Sequence, residues 1–319
     1  MVFLAYLPCH TDMTLALKQA EVLRAEYLEN KNFLEFSDLT LEIILSVNSY
    51  TPSDSEIQSA NRLCDKVILN GENYLRDLNI ANAFLLAQQL RPEYLWIISA
   101  NDPLKRGGLT KVVREFFKDK EIDLVVASSG EERKYVERTI IDPPSKGQYY
   151  GVITGVVYKL QNFQQHLHNG PFLAWTGWSH LAVLQSAMQA ENGLHVKTLK
   201  LEKLFAEGER DFTEIREFGY SIYGMLILES LFKPNKLQTN KFIKKFTLKN
   251  FYIWHIYKRS IQFSGNVINK KNYLGWNQEI AESIIWRASR ITFALYLIVK
   301  GLPLRKIRNI QRRIINKST

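Results

Sequence analysis

The sequence predicts an α/β protein in which a mostly parallel sheet with flanking helices is followed by a helical, strongly basic C-terminal region. Two observations support this prediction. Short apolar runs alternate with helix-period patterns over residues 1–204, and basic residues are concentrated over residues 205–319. Strand, loop and helix repeated in this order are typical of a parallel sheet with helices on its faces. We therefore expect a first domain over 1–204 and a separate region over 205–319.

The predicted strands are short apolar runs, each closed by a turn or a polar loop. They are Phe3–Leu7, Leu41–Val47, Lys66–Leu69, Tyr94–Ser99, Asp123–Ala127 and the strand-like run Gly151–Tyr158. The predicted helices carry apolar residues at helical spacing. They are a helix capped by Thr11 or Asp12 that includes Leu15, Ala16, Ala20, Leu23 and Tyr27, a short helix near 56–63, Leu78–Leu90, Gly107–Phe117, and one that runs from His180 through Leu181, Leu184 and Met188. We interpret 131–138 as a charged segment and 142–147 as a surface loop.

Composition narrows the class of protein. The chain has 319 residues, of which 46% are hydrophobic and 23% charged, and this excludes collagen-like and disordered chains. No run approaches the roughly 20 apolar residues of a membrane-spanning helix. The start of the chain shows no signal-peptide pattern, and two cysteines cannot form a disulfide framework. We therefore expect a soluble protein of the reducing cytosol.

Charge is divided unevenly along the chain. Residues 233–319 contain 19 Lys and Arg but two acids, a balance of +17, whereas the remainder carries −7. Such asymmetry indicates that the basic part meets a polyanion, either nucleic acid or an anionic membrane surface.

Polar residues follow several of the predicted strands. Ligands of parallel sheets bind outside the carboxyl ends of the strands, so Pro8–His10, Asn48–Thr51, Asn70–Asn73 and Ala100–Asp102 should surround one crevice. The glycine-rich dinucleotide fingerprint and the P-loop are both absent, which argues against NAD enzymes and P-loop NTPases.

Three segments carry a resemblance to a known family: Asn70–Asn73, Asn79–Asn82 and Tyr94–Leu104. Together they resemble glycosyltransferases of the A-type (GT-A, Rossmann-like) fold. The similarity is closest to family-2-like inverting enzymes, including the abequosyltransferase-like group of bacterial O-antigen and capsule synthesis. It extends from about Phe3 to about Leu204.

The resemblance implies a nucleotide-sugar donor in the crevice. The residues that it assigns to donor binding are Pro8, His10, Asn48, Asn73, Asn82, Asn101 and Asp102. Each asparagine has an alternative interpretation as a turn residue or a helix cap. For His10 the alternative is a polar loop residue.

Asp102 is the candidate metal ligand. A sugar nucleotide leaves as a diphosphate, and Mg²⁺ or Mn²⁺ held by a carboxylate at a strand end would neutralise its charge. The resembling family typically has two acids at this point, whereas this chain has Ala100-Asn101-Asp102. The alternative is that Asn-Asp-Pro is a turn that ends the strand.

His180 is the candidate general base. The family has an acid in the corresponding segment, but no acid lies between Phe172 and Met188, and histidine has a suitable unperturbed pKa for this role. The alternative is a structural histidine near a helix start. Trp175 and Trp178 are candidates for an acceptor-sugar platform, with core packing as the alternative.

The C-terminal region combines basic and apolar residues. Leu304, Ile307, Ile310 and Ile314 form one helical stripe, and the opposite face carries Arg305, Lys306, Arg308, Arg312 and Arg313. This pattern favours an anionic membrane surface. A subdomain whose stripes are buried against the first domain is the alternative; nucleic acid is disfavoured because no recognition motif is visible.

These observations lead to one main hypothesis. The protein transfers a sugar, with inversion, from a nucleotide sugar to a saccharide acceptor, expected to be lipid-linked, in bacterial surface-polysaccharide synthesis at the inner face of the cell membrane. A sugar-phosphate nucleotidyltransferase and a catalytically inactive membrane-associated scaffold of the same fold are the alternatives.

Overall fold

The structure covers most of the first two hundred residues. It is a computed structural model, and it describes residues 1–10, 13–48, 51–71, 75–128, 130–139, 153–174, 178–190 and 193–206. All of them belong to one of the two units into which the chain divides, Met1–Phe212 with Ile227–Asn235; the other unit comprises Thr213–Leu226 and Lys236–Thr319. The predicted boundary at 204/205 and the membrane-binding role of 205–319 stay predictions, because 207–319 lie outside the described residues.

Strands and helices alternate along the chain. The strands are β1 (Val2–Cys9), β2 (Thr40–Val47), β3 (Lys66–Leu69), β4 (Tyr94–Ile97), β5 (Leu124–Ser128), β6 (Lys134–Glu137), β7 (Val156–Lys159) and β8 (Leu194–Lys200). The helices are α1 (Thr14–Asn30), α2 (Leu34–Ser37), α3 (Asp54–Leu63), α4 (Leu75–Leu90), α5 (Gly108–Lys118), α6 (Asn169–Phe172), α7 (Ser179–Ala190) and α8 (Leu201–Leu204).

The strands form one mixed sheet in the order β3-β2-β1-β4-β7-β5-β8-β6. The pairs β1–β2, β2–β3, β1–β4 and β5–β8 are parallel. β7 lies antiparallel between β4 and β5, and β6 lies antiparallel to β8. The prediction of an α/β fold with a mostly parallel sheet is confirmed.

β1 shows how the sheet separates two helical layers. Phe3 and Leu7 belong to the core that also contains α1 and α5 residues. Tyr6 points to the opposite face, where its hydroxyl contacts Asn79 of α4. Because successive side chains of a strand alternate between faces, α1, α3 and α5 cover one side, and α4, α6 and α7 cover the other.

Most of the predicted elements exist at the predicted positions. β3 matches its predicted range, while β1 continues past Leu7 to Cys9, and β4 ends at Ile97 rather than Ser99. β7 occupies only the end of the strand-like run, after a 3₁₀ turn at Ile153–Gly155. The loop predicted over 142–147 lies outside the described residues.

One prediction about local structure is wrong, and two strands were not predicted. The N-cap of α1 is Met13, with no side-chain cap bond, rather than Thr11 or Asp12, and Leu15 is 44% exposed. The charged segment 131–138 contains the edge strand β6, in which Lys134 and Glu137 flank Tyr135 and Val136. β8 was not predicted, because its apolar residues alternate with His and Lys instead of forming a continuous run.

Two further sequence expectations concern cysteines and membrane spans. Cys9 and Cys64 are both buried, and they are not joined to each other in a disulfide. Within the described ranges, none of the helices has the length and apolarity that crossing a bilayer requires.

Substitution of Gly170 tests the packing of α6 on α4. A Cβ atom at Gly170 would come within 2.5 Å of the Phe84 ring, which is completely buried. Since a packed core does not accept an added methyl group without displacement, Gly170→Ala should lower the free energy of unfolding by about 1–3 kcal/mol. Urea denaturation followed by circular dichroism measures this. Gly71→Ala is the control, because a Cβ atom there has no neighbour within 4 Å; equal midpoints for the two variants would contradict the packing.

Candidate functional site

The strand order reverses at β1, and this is the point at which an open α/β sheet is expected to have a crevice. β2 and β3 lie on one side of β1 and β4 lies on the other, so the loops that follow β1 and β4 diverge at the carboxyl edge of the sheet. The Tyr6 carbonyl accepts a hydrogen bond from Ile98 at 2.9 Å, close to the end of β4. Two residues further along, the nitrogen of Pro8 faces the same side, where no strand continues and no donor is needed.

The first rim of the crevice contains His10 and Asn48. Asn48 is completely buried, and its backbone N–H donates to the Cys9 carbonyl at 2.9 Å. Its Nδ2 lies 3.3 Å from Nδ1 of the exposed His10. Because an amide NH₂ group only donates, this contact requires Nδ1 to accept and leaves the imidazole proton on Nε2. The structure thus brings two of the predicted donor-binding residues together.

The side-chain amide of the buried Asn79 supports the first rim through hydrogen bonds. Oδ1 of Asn79 accepts hydrogen bonds from the Tyr6 hydroxyl at 2.9 Å and from the Ser46 hydroxyl at 2.6 Å. Its Nδ2 donates to the carbonyls of Cys9 at 3.3 Å and Ser46 at 3.2 Å. The side chain of Asn70, which follows β3, donates to the Ser46 hydroxyl at 3.1 Å. One side chain of α4 therefore connects the ends of β1 and β2, and through Ser46 it reaches the residue after β3.

The un-ionised state of the Tyr6 phenol keeps this network intact. Burial raises the pKa of the Tyr6 phenol far above its ordinary value, and the hydrogen bond with Ser46 offsets only part of this rise. The phenol therefore stays protonated at physiological pH and acts as a donor to Asn79.

The second rim contains Asp102. Its Oδ2 accepts a hydrogen bond from the hydroxyl of Thr154 at 2.8 Å. Its carbonyl accepts from Nε2 of Gln19 at 2.9 Å, and Oε1 of the same Gln19 accepts from Leu104 N–H at 2.9 Å. The 3₁₀ turn before β7 and a buried residue of α1 therefore hold Asp102 from two sides.

The other predicted site residues have different surroundings. Asn101 is exposed beside Asp102, and Asn82 is half-buried on α4. Trp178 is half-buried, and its ring centroid lies 5.7 Å from that of His180. His180 is only 5% exposed in the first turn of α7. Asn73 and Trp175 lie outside the described residues, and the roles of all these residues stay predictions.

Three buried residues that were not predicted as site residues form hydrogen bonds that hold the site: Gln19, Asn79 and Thr154. Gln19 was detectable, because it interrupts the buried stripe formed by Ala16, Ala20 and Leu23 on α1. Asn79 was noticed only as part of an asparagine-rich segment. Thr154 has no local signal, because its partners lie more than 50 positions away.

The donor set of the site suits a cation that arrives with phosphate. Within the described ranges, no three His, Cys, Asp or Glu side chains form a metal-binding group. Mg²⁺ characteristically keeps several waters and binds one or two carboxylates together with substrate phosphates. A single oriented carboxylate fits that arrangement and does not fit a site made of protein ligands alone.

A surface hollow in the described part of the chain lies away from Asp102. An open hollow of about 240 Å³ is lined by residues at the starts of β1 and β4 and the end of α5, among them Phe3, Tyr94 and Phe116. This is the edge opposite Asp102. Its lining is mainly aromatic and aliphatic, so we place the functional site at the polar crevice.

Known proteins provide only distant similarities. No protein-family model and no curated protein matches the sequence. Similar solved structures include S. aureus TarS 1-349, at 10% identity over 81% of both chains with a TM-score of 0.46. The same TarS fragment in complex with UDP-GlcNAc is 12% identical over 82% of this chain and 81% of that chain, with a TM-score of 0.43. A 4-diphosphocytidyl-2C-methyl-D-erythritol synthase is 11% identical over 62% of this chain and 88% of that chain, with a TM-score of 0.37. TM-scores below 0.5 at such identities establish no shared function.

Asn79→Leu tests the support of the first rim. The substitution retains most of the volume but removes the side-chain partner of two hydroxyls and two carbonyls. The Tyr6 hydroxyl keeps the backbone carbonyl of residue 79 and the Cys9 carbonyl keeps the Asn48 N–H, whereas the Ser46 groups lose this partner. Because an unsatisfied buried polar group costs about 1–3 kcal/mol, we expect a loss of about 1–3 kcal/mol in urea denaturation. Asn82→Ala on the half-buried side of the same helix should change stability by less than about 0.5 kcal/mol. Similar losses for the two variants would show that Asn79 is not the connection described.

Proposed function

We propose that the protein is a glycosyltransferase that moves a sugar from a nucleotide-sugar donor to a saccharide acceptor. The observation that carries this proposal is the Asp102 carboxylate, oriented at the strand-order reversal opposite His10 and Asn48. A polar crevice of this kind at the reversal point is where open α/β sheets bind nucleotides. The sequence resemblance to A-type-fold glycosyltransferases supports the same function.

In the proposed donor site, Asp102 would bind a cation and the first rim would bind the nucleotide. A divalent cation, Mg²⁺ or Mn²⁺, bound by Asp102 and the donor diphosphate would neutralise the charge of the leaving group. His10 presents an Nε2–H donor at the crevice, and such a donor suits an anionic or carbonyl oxygen of the nucleotide. Asn48 and Asn79 fix the backbone around that position, so the binding groups are placed before the ligand arrives.

The chemical step requires a base on the acceptor side. The oxygen of an acceptor hydroxyl forms a bond to the anomeric carbon while the bond from that carbon to the diphosphate breaks. The hydroxyl proton passes to the base, and the nucleoside diphosphate leaves with the bonding electron pair. We assign the base role to His180 and the platform for the acceptor sugar to Trp175 and Trp178. The close approach of the Trp178 and His180 rings supports a shared location on this side.

The acceptor that we propose is a lipid-linked glycan of a bacterial surface polysaccharide such as a capsule or O-antigen. The support is the +17 balance of residues 233–319 with their apolar stripes. Basic residues near an anionic surface contribute about 1 kcal/mol each. The protein would then lie at the inner face of the cell membrane, next to its acceptor.

Nucleotide binding by Asp102→Asn tests the donor site without knowledge of the acceptor. The full chain is titrated with UDP, GDP, CDP and dTDP by isothermal calorimetry, with Mn²⁺ or with EDTA. We expect one diphosphate to bind in Mn²⁺, and Asp102→Asn to weaken that binding at least tenfold. In EDTA the variant and the unaltered chain should differ little, since the carboxylate acts through the cation.

Asp38→Asn is the matched control, because Asp38 is an exposed carboxylate that precedes β2 at the opposite edge of the sheet. It should bind the nucleotide as the unaltered chain does. If none of the four diphosphates binds with or without Mn²⁺, the inactive scaffold becomes the better hypothesis. Release of diphosphate from the matching nucleotide sugar on addition of acceptor glycans then distinguishes transfer from binding alone.

Vesicle co-sedimentation of the full chain tests the membrane proposal. Binding to vesicles with about a third of anionic lipid should exceed binding to neutral vesicles, and it should fall in 0.5 M salt because screening shortens the reach of the charges. Arg308→Glu with Arg312→Glu should weaken it, whereas Lys18→Glu with Lys31→Glu in the described domain should not. Equal binding to neutral and anionic vesicles would refute electrostatic attachment.

A further inference from the structure

The turn before the antiparallel strand β7 places the buried hydroxyl of Thr154 next to Asp102. Because β7 runs opposite to β4, its beginning lies at the edge where β4 ends. Thr154, in the turn just before β7, is completely buried. Its carbonyl accepts a hydrogen bond from Nε1 of Trp96 at 2.7 Å, and this bond fixes its backbone against β4.

The two hydrogen-bond partners of the Thr154 hydroxyl determine which group receives its proton. Ser99 N–H donates to Thr154 Oγ1 at 2.9 Å, so that oxygen already serves as an acceptor. Asp102 Oδ2, at 2.8 Å, is a carboxylate oxygen and accepts the hydroxyl proton. The threonine therefore connects the backbone at the end of β4 with the side chain of Asp102.

The contact with Asp102 satisfies the buried hydroxyl of Thr154, but the backbone of the turn does not depend on it. The backbone of Asp102 is satisfied separately, by its N–H bond to the Ser99 carbonyl at 3.1 Å and by the Gln19 amide on its own carbonyl at 2.9 Å. What the Thr154 bond adds is a defined orientation of the carboxylate. A preset side chain loses less freedom when a ligand binds, which raises affinity without a new contact.

We propose that Thr154 is a positioning residue that holds Asp102 in the orientation in which it meets a phosphate-bound divalent cation. The inference rests on the proposed function, in which Asp102 binds that cation. Under this inference, the affinity for the cation depends on Thr154, although Thr154 contacts neither the cation nor the nucleotide. Loss of the hydroxyl should weaken cation binding by about tenfold, the scale expected for release of one immobilised side chain.

The test measures Mn²⁺ binding to the full chain by the relaxation enhancement of water protons, a readout that does not require turnover. Mn²⁺ is titrated together with whichever of the four nucleoside diphosphates binds, and alone if none does. Thr154→Val, nearly isosteric but without the hydroxyl, should show about tenfold weaker binding, and Thr154→Ser should restore it to within about threefold. Asp102→Asn defines the binding that belongs to this site.

Thr198→Val is the matched control for the loss of a buried threonine hydroxyl. Thr198 on β8 is also completely buried, and its Oγ1 accepts from Arg133 N–H at 2.8 Å and donates to the Glu131 carbonyl at 3.0 Å, away from Asp102. This variant should lose stability but keep Mn²⁺ affinity. If Thr154→Val does not fold, Thr154→Ala is compared with Thr154→Ser by the same criterion.

The outcomes separate the two proposals. Unchanged Mn²⁺ affinity in Thr154→Val, with a clear loss in Asp102→Asn, overturns the role of Thr154 and leaves the proposed function intact. Equal affinity losses in Thr154→Val and Thr198→Val also overturn it, since general destabilisation would then explain the effect. Mn²⁺ binding that Asp102→Asn does not change removes Asp102 as the ligand and overturns the inference together with the metal role in the proposed function.

Discussion

The reversal of strand order between β1 and β4 is the constraint on which the site depends. Once β2 and β3 lie on one side of β1 and β4 on the other, the two following loops must separate at the carboxyl edge. Pro8 suits this position because the end of β1 needs no donor toward the missing strand. The antiparallel β7 then adds Thr154 to the same edge from beyond β4. Three separate parts of the chain therefore meet at a gap that the topology itself creates.

Buried polar side chains, rather than loops, determine the shape of both rims. Asn79 is 2% exposed and Gln19 is 4% exposed, yet each amide has partners for both its donor and its acceptor groups. Buried polar groups destabilise a core when half satisfied and make it rigid when fully satisfied. Because these residues act from beneath, the positions of His10, Asn48 and Asp102 follow from the core. The loops above remain available for determining which ligand binds.

The sequence predicted the elements with a strong local signal and missed those defined by distant partners. Buried parallel strands appear as continuous apolar runs, so β1 to β5 were found within two residues at either end. β6 has charged residues at both ends, and β8 interrupts its apolar residues with His and Lys; the two strands pair with each other at one end of the sheet. In the site, Asp102 and the contact between His10 and Asn48 follow from the ends of predicted strands. The function of Thr154 depends on β7 lying beside β4, and no spacing within the sequence specifies that neighbour.

In the proposed donor site, a single oriented carboxylate implies that cation and nucleotide would bind as one unit. Asp102 offers a cation too few ligands for tight binding alone, and a diphosphate without a cation would meet a carboxylate of like charge. Each ligand must therefore raise the affinity for the other by the same factor. The bond to Asp102 satisfies the completely buried hydroxyl of Thr154. In the proposed donor site, the same bond would also hold the carboxylate in one orientation toward the cation.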